Sequence, residues 1–204
     1  MKRALLFSIP CLFLAGCSGL IPPPQSDSTR YFVLAGPAPQ AAAPGGRLRV
    51  GLKAVGLSAY LKSPDIIVRR GANEIIPQDY ARWGESLDSG ISRILEERLR
   101  ASDGVGRVVL QPFPLDSDRD CDIAVTILRC EGGTGSGSGF VARFEATVEI
   151  TTGAPEVRVV ARRTFIAPEA AWDGRDFSRL AALLSADADA LGREIAAALP
   201  PAAR

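Results

Sequence analysis

The thiol of Cys17 is the side chain with the clearest chemical context in the sequence. A positively charged start, Lys2 and Arg3, precedes an apolar run over residues 4–14 that is too short to span a bilayer as a helix. The residues directly before the cysteine are apolar or small: Leu14, Ala15 and Gly16. This order is typical of an export signal. The sequence thus places a nucleophilic sulfur at the point where an exported chain is cut.

Residues 14–17 resemble the lipobox of bacterial lipoproteins. The resemblance implies that Cys17 Sγ receives a diacylglycerol, that residues 1–16 are removed as a lipoprotein signal peptide, and that the new amino group is acylated, for example by palmitate. Such an anchor is firm, because each buried methylene contributes ~0.8 kcal/mol and two chains hold far better than one. The membrane, bound through this lipid, is the first predicted partner. The alternative is a secretory signal that contains a cysteine by chance.

Ser18 predicts a location within the envelope if the lipobox resemblance holds. In enterobacterial-type sorting, Asp after the lipidated cysteine favours the inner membrane, whereas Ser favours transfer to the outer membrane. We therefore expect the protein at the periplasmic face of the outer membrane. Residues 17–29 are rich in Pro and Ser and are interpreted as an extended, lipidated tether. Residues 30–204 are expected to form a single folded domain.

Composition limits the remaining functions. The sequence contains no histidine, which removes the usual general base, the usual zinc ligand and any Ser-His or Cys-His nucleophile pair. We therefore expect no enzyme, no metal and no other cofactor, while a Ser/Lys or Asp-based site stays open. After removal of residues 1–16, 22 basic side chains face 23 acidic ones, so no charge imbalance points to nucleic acid.

Cys121 and Cys130 would remain after processing, in a compartment that permits disulfides. They bracket a segment without turn residues, which we predict to be one strand. Its length would place their Cα atoms ~30 Å apart, beyond disulfide reach. Both are therefore predicted to be small, buried, apolar side chains.

Two motifs have the composition of ligand sites. Aspartates alternate over residues 116–122, but an EF-hand calcium loop would need Gly at Cys121 and Glu at Ile127. We predict a solvated turn before a strand. The Gly- and Ser-rich run over residues 132–139 resembles a phosphate cradle in composition, yet such cradles lead into a helix, and this run leads into an alternating strand. We predict a hairpin loop.

Arginine and tryptophan side chains are the candidates for partner binding. Arg69 and Arg70, at a predicted strand end, could contact anionic head groups or an acidic partner, or could simply be solvated. Trp is enriched at binding hot spots. We place Trp83 in the core. Trp172, between a strand and a helix, is predicted to be exposed and is the candidate for docking.

The elements that position these side chains are strands and helices in mixed order. The pattern predicts strands over 31–34, 47–55, 65–70, 74–76, 105–110, 121–129, 140–151 and 156–166. The strands 65–70 and 74–76 flank a Gly-Ala-Asn turn and are expected to form a hairpin. The last three strands are expected to form an antiparallel meander.

Two amphipathic helices are predicted, over residues 80–101 and 177–199, from apolar residues at spacings of three and four. Asp79 caps the first helix and Gly104 stops it, while Asp176 or Ser178 caps the second. Two helices with one apolar face each, and a sheet with one apolar face, pack as a two-layer α/β (α+β) sandwich. The expected sheet is mixed and largely antiparallel.

The order of these elements resembles the PqiC-like family of ABC-type transport auxiliary lipoproteins. The resemblance rests on the lipobox, on the segment Tyr31-Phe32-Val33-Leu34, on the block over residues 66–99 and on the C-terminal helix over 180–199. The Arg82-Trp83 pair is its most distinctive piece. Cys121 departs from the family, where a large residue such as Tyr is expected, and this weakens one core contact.

The family resemblance implies an outer-membrane lipoprotein that works with MCE-domain proteins anchored in the inner membrane. Such systems are associated with the traffic of phospholipids or other hydrophobic solutes and with envelope integrity. The resemblance implies a docking subunit that is not an enzyme, and it suggests a ring-like homo-oligomer. The alternative is a periplasmic lipid carrier, which would need its own apolar cavity of several hundred Å³ between helix and sheet.

Overall fold

The computed structural model describes residues 27–36, 45–115, 117–135, 137 and 139–201. Within this part, the chain forms ten strands, two α-helices and a short 3-10 turn over Ala59–Lys62. The strands are β1 Arg30–Phe32, β2 Leu48–Leu52, β3 Gly56–Leu57, β4 Asp65–Arg70, β5 Glu74–Trp83, β6 Val105–Leu110, β7 Cys121–Thr134, β8 Phe140–Thr152, β9 Val159–Ile166 and β10 Ala170–Trp172. The helices are α1 Leu87–Arg100 and α2 Phe177–Ala197.

The longest strand, β7, lies at the centre of the sheet. One of its edges pairs with β8, from Cys121 opposite Thr152 to Thr134 opposite Phe140. The other edge is shared in parallel by three short strands in turn, β2, β3 and β4. The sheet continues from β2 to β6, and from β4 through β5 to β1. The far edge of β8 pairs with β10 and β9, so the sheet is mixed and its longest ladders are antiparallel.

Both helices cover one face of the sheet, called the inner face below. They pack against each other, and Arg98 Nη2 on α1 lies 2.6 Å from Asp189 Oδ1 on α2. The apolar stripe of α1 is buried and consists of Leu87, Ile91, Ile94, Leu95 and Leu99. That of α2 consists of Leu180, Leu184, Ala188, Leu191 and Ile195. The predicted two-layer α+β architecture is confirmed, since one hydrophobic core joins these stripes to the sheet.

The first helix is shorter than predicted. Residues 80–83 continue β5 and do not open a helix. Helix α1 begins only after the N-cap Ser86, so the prediction of Asp79 as its cap is wrong. The extended conformation is favoured because this segment pairs on both sides. It lies parallel to β1, and Trp83 N donates to Pro64 O at 2.7 Å.

Strand β7 extends to Thr134, beyond the predicted end at residue 129, and includes Gly132. A Cβ on Gly132 would lie 2.6 Å from Cζ3 of Trp172, so only a glycine fits where the indole crosses the strand. The glycine run therefore begins inside the sheet. The loop that follows β7 is closed by Gly135 N, which donates to Gly139 O at 2.8 Å. The predicted hairpin is confirmed, because this loop joins two antiparallel strands.

The other predicted elements agree with the structure to within a few residues, whereas β3, β10 and the 3-10 turn were not predicted. The hairpin of β4 and β5 and the antiparallel meander of β7, β8 and β9 are confirmed. Strand β1 ends at Phe32, and β9 begins only at Val159. Helix α2 begins where predicted, and the Asp176 carboxylate caps it by accepting from two backbone N–H groups. Gly104, with φ 82°, lies in the turn after α1.

Candidate membrane-anchoring and docking sites

The predicted lipidation site lies outside the described residues. This applies to Cys17, to Leu14, Ala15 and Gly16 before it, and to the tether up to residue 26. Asp27 is the first described residue; its Oδ1 accepts from Thr29 N at 2.9 Å, and the chain then leads directly into β1. None of the described helices is both long and apolar enough to cross a bilayer.

The segment after β1 is fixed to both helices. Ala35 N donates to Ser185 Oγ on α2 at 3.0 Å. Arg93 Nη2 on α1 donates to Leu34 O at 2.9 Å, and the Leu34 side chain is buried in the core. A chain that enters from the predicted tether is therefore joined to the folded body within a few residues of β1.

The Arg82-Trp83 pair connects this region to β4, and Trp83 borders an open cleft. Arg82 Nε lies 3.1 Å from Asp65 Oδ1 on β4, and Trp83 is buried. A cleft of about 640 Å³ lies beside Trp83, between the 3-10 turn and the start of α1. Polar side chains such as Lys62 and Glu85 share its lining with apolar ones. This mixed, solvent-open lining does not match the apolar enclosure that holds a lipid tail.

Arg69 belongs to a buried polar cluster. Its Nε donates to Glu131 Oε1 at 2.5 Å, and its guanidinium lies 5.1 Å from the centroid of the Tyr60 ring. Glu131 is completely buried, and the Tyr60 hydroxyl donates to Leu128 O at 3.0 Å. The hydrogen bond to Glu131 raises the pKa of Arg69, while burial raises the pKa of Tyr60 to about 12. Arg69 is thus held inside the fold and is not free for a partner, whereas Arg70 is exposed.

Trp172 is buried, so the prediction of an exposed docking tryptophan is wrong. Only 6% of its surface is exposed, and its Nε1 donates to Asp176 O at 2.7 Å. Its ring lies against Phe140 and Phe177, with centroids 5.8 Å and 5.5 Å away. The pairing of β10 with β8 turns the indole towards the core, where it joins the sheet to the start of α2.

The aspartates before β7 are organised by arginines. Arg49 Nη2 donates to Asp120 Oδ1 at 2.7 Å, and Arg49 Nη1 donates to Asp118 Oδ2 at 3.1 Å. Arg119 Nε donates to Asp122 Oδ1 at 2.8 Å. The hydrogen bond with Arg49 lowers the pKa of Asp120. The first of the four alternating aspartates lies outside the described residues; the other three form ion pairs, which corrects the prediction of a merely solvated turn.

Cys121 and Cys130 are both buried and are not bonded to each other, as predicted. Burial raises the pKa of the Cys121 thiol to about 12 and also raises the pKa of Cys130. Both thiols are therefore protonated at physiological pH and pack as small apolar side chains.

The C-terminal half of α2 packs closely on β8 and β9. The cavity there measures about 10 Å³ and is lined by side chains such as Ile150, Leu191 and Ile195. Pockets that hold small lipophilic ligands measure several hundred Å³. The packing of α2 on the sheet therefore leaves no room for a bound lipid at this place.

A family model for the ABC-type transport auxiliary lipoprotein component matches residues 32–196. The match extends from the end of β1 to the last turn of α2 and therefore spans nearly all of the described fold. No curated protein sequence matches the chain.

Solved structures with TM-scores above 0.5 share the fold at low sequence identity. Protein XCC0632 from Xanthomonas campestris, of the family DUF330, has a TM-score of 0.69 and 17% identity, over 82% of this chain and 93% of that one. An uncharacterized protein has a TM-score of 0.61 and 16% identity, over 83% and 97% of the two chains. Dodecameric PelC from Paraburkholderia phytofirmans has a TM-score of 0.45 and 17% identity, over 82% and 96%. The first two show a shared fold, and the third is too dissimilar to inform on assembly.

Glu131→Gln tests the buried ion pair. The substitution removes the charge that faces Arg69 at a completely buried carboxylate, so we expect a loss of about 2 kcal/mol in the free energy of unfolding. Chemical denaturation measures this loss. The matched control is Glu149→Gln, which breaks the exposed pair with Arg162 and is expected to cost less than about 1 kcal/mol. Equal losses in the two variants would contradict the assigned roles.

Asp187 on α2 predicts a pH dependence of stability. Its Oδ2 is buried without a hydrogen-bond partner among the described residues, and burial raises its pKa from the ordinary 3.8 to about 6. As the pH falls from about 6 to 4, the native state takes up a proton that the unfolded state still lacks, so the free energy of unfolding rises. Asp187→Asn should be more stable than wild type at pH 7.5 and should lose this increase. Thermal unfolding across pH 4–8 measures both effects, and a pH profile identical to wild type would refute the assignment.

Proposed function

Since this chain belongs to the family of ABC-type transport auxiliary lipoprotein components, we propose that it is a lipid-anchored, non-enzymatic auxiliary subunit of an ABC-type envelope transport system. The observation that carries the proposal is the family match over residues 32–196. We further propose that the system is of the MCE type and moves phospholipid or another hydrophobic solute. Its partner is then an MCE-domain protein anchored in the inner membrane, as the family resemblance implies.

The anchor in this proposal is a covalent lipid on Cys17 at the periplasmic face of the outer membrane. The lipobox-like residues 14–17 and the following Ser18 support this placement. Strand β1 begins thirteen residues after Cys17, and an extended Pro-rich chain covers ~3.1 Å per residue, so the tether holds the domain within ~40 Å of the bilayer. Because the segment after β1 is hydrogen-bonded to both helices, the anchor holds the whole domain.

Packing favours docking over lipid carriage. The cavity between α2 and the sheet is about 10 Å³, and the cleft of about 640 Å³ beside Trp83 is open and partly polar. A lipid carrier needs an enclosed apolar volume of several hundred Å³. A docking subunit needs a rigid core and an accessible surface, and the described chain has both.

Arg70 is the exposed basic side chain that we propose for contact with an acidic surface of the partner. It is the last residue of β4 and directly follows Arg69, which forms an ion pair with Glu131. Glu74 lies opposite Arg70 in the β4–β5 hairpin, but no ion pair of Arg70 is formed within the described part of the chain. The guanidinium is therefore available to a second protein.

Cys17→Ala tests the anchor. We expect the wild-type protein to fractionate with the outer membrane and to carry an acyl mass on an N-terminal Cys17. The variant has no thiol to alkylate, so it should be unacylated and absent from that membrane. Density-gradient fractionation and mass spectrometry of the mature N-terminus measure both properties. Retention of Cys17→Ala at the outer membrane would contradict lipid anchoring.

Ser18→Asp is the matched control for this experiment. The variant keeps the thiol and should keep the lipid, but it should move to the inner membrane under the sorting rule stated above. If an acylated Ser18→Asp protein stays at the outer membrane, the sorting assignment is wrong while the anchor stands.

Arg70→Glu tests partner docking. Reversal of this exposed charge should lower the amount of MCE-domain protein that copurifies with the lipoprotein from solubilised membranes several-fold, because like charges then meet at the interface. Quantitative mass spectrometry of the captured material measures the change. Arg107→Glu on β6, also exposed, reverses a charge on another branch of the sheet and serves as the control. Equal capture by the two variants would exclude Arg70 from the interface.

A further inference from the structure

Three large apolar side chains are exposed beside the point where the predicted tether enters the fold. Tyr31, Val33 and Tyr80, called the tyrosine patch below, are 63%, 55% and 65% exposed. Tyr31 lies opposite Arg82 in the parallel pairing of β1 and β5, and Tyr80 precedes Arg82 by two residues. Each tyrosine is exposed and is followed by a residue that is buried in the core, Phe32 or Ala81, so both tyrosines lie on the same face of the sheet.

This face is the outer one, opposite the helices. Phe32 and Ala81, the sequence neighbours of the two tyrosines, are buried in the core and supply the inner contacts of β1 and β5. The tyrosine patch is thus not needed to build the core. Adjacent exposed apolar side chains on a folded domain mark an interaction surface.

We propose that the tyrosine patch rests on the phospholipid surface that holds the anchor, an inference that depends on the proposed lipidation of Cys17. Tyr31 follows Cys17 by fourteen residues, so a tether in the extended polyproline II conformation places it ~43 Å from the lipidated residue. A more compact tether allows the patch to reach the bilayer. Tyrosine suits this position, because its ring is apolar and its hydroxyl reaches the head groups.

The charges around the tyrosine patch indicate which kind of surface it meets. The charged side chains around it carry no excess of positive charge and sum to −1: Asp27, Arg30, Asp65, Asp79 and Arg82. The Arg82 charge is also paired with Asp65, and the Arg30 guanidinium lies 5.2 Å from the centroid of the Phe32 ring. The contact is therefore apolar and does not require anionic lipid. A weak contact is sufficient, because the anchor keeps the patch at a high effective concentration near the bilayer.

Quenching of an introduced tryptophan by brominated lipid tests this contact. The full-length protein, processed in cells, is reconstituted in phosphatidylethanolamine–phosphatidylglycerol vesicles that contain phospholipids brominated in their acyl chains. We expect the added fluorescence of Tyr31→Trp to be quenched roughly twofold more than that of Val157→Trp. Val157 is equally exposed but lies just before β9. Strand β9 is five strand spacings of ~4.8 Å away from β1 in the sheet. Trp83 and Trp172 are buried and contribute the same background to both variants.

Tyr80→Trp, on the neighbouring strand, is the second probe, and we expect its fluorescence to be quenched as strongly as that of Tyr31→Trp. Agreement between the two variants guards against a local folding defect in either one. Equal quenching of these probes and the Val157→Trp control, with Cys17 acylated, would overturn the patch contact and leave the anchor standing. Absence of an acyl mass on Cys17 would overturn the anchor and, with it, the patch contact. Shielding of the probes that requires an added periplasmic protein would assign the patch to a protein partner and also overturn the proposal.

Discussion

The backbone pairing of β7 is the constraint on which the rest of the structure depends. A buried strand must satisfy its N–H and C=O groups on both edges, and β7 has fourteen residues. Strand β8 satisfies one edge, but β2, β3 and β4 each reach only part of the other. Between them, Lys53 N donates to Ile123 O at 2.9 Å and Ser58 N donates to Ile127 O at 3.0 Å. The chain from β2 to β4 therefore runs along the edge of β7. Two branches of the sheet extend from this chain, one from β2 to β6 and the other from β4 through β5 to β1.

A bulge in β7 decides which of its side chains enter the core. The register with β8 shifts at Leu128, whose carbonyl accepts from Ser58 Oγ at 3.1 Å and from the Tyr60 hydroxyl at 3.0 Å. Odd-numbered residues are in the core before the bulge and even-numbered ones after it. Cys130 is therefore in the core, while Glu131 lies on the outer face, where an arginine of β4 neutralises it. A local irregularity of the backbone thus creates the buried ion pair.

The proposed function uses these features together. A lipid at the N-terminus would act on β1, and the segment after β1 is hydrogen-bonded to both helices, so a force on the tether reaches the core directly. The contact between the C-terminal half of α2 and the sheet leaves little free volume in this part of the core. The tyrosine patch would orient the domain on the bilayer. The remaining surface, with Arg70 at the end of β4, would be free to meet a partner across the periplasm.

The sequence by itself determined the features that depend on short-range patterns. The lipobox-like signal, the apolar stripes of both helices, most strands and the family resemblance follow from spacing, because periodicity is a local property of the chain. The tertiary structure decided the rest. Residues 80–83 fit a helix by spacing, and only pairing with β1 on one side and with the start of β4 on the other makes them a strand. The burial of Trp172 and the engagement of Arg69 arise from strands distant in sequence. Cys121 and Cys130, an odd number of residues apart, share one face only because the bulge shifts the alternation, which a period of two cannot predict.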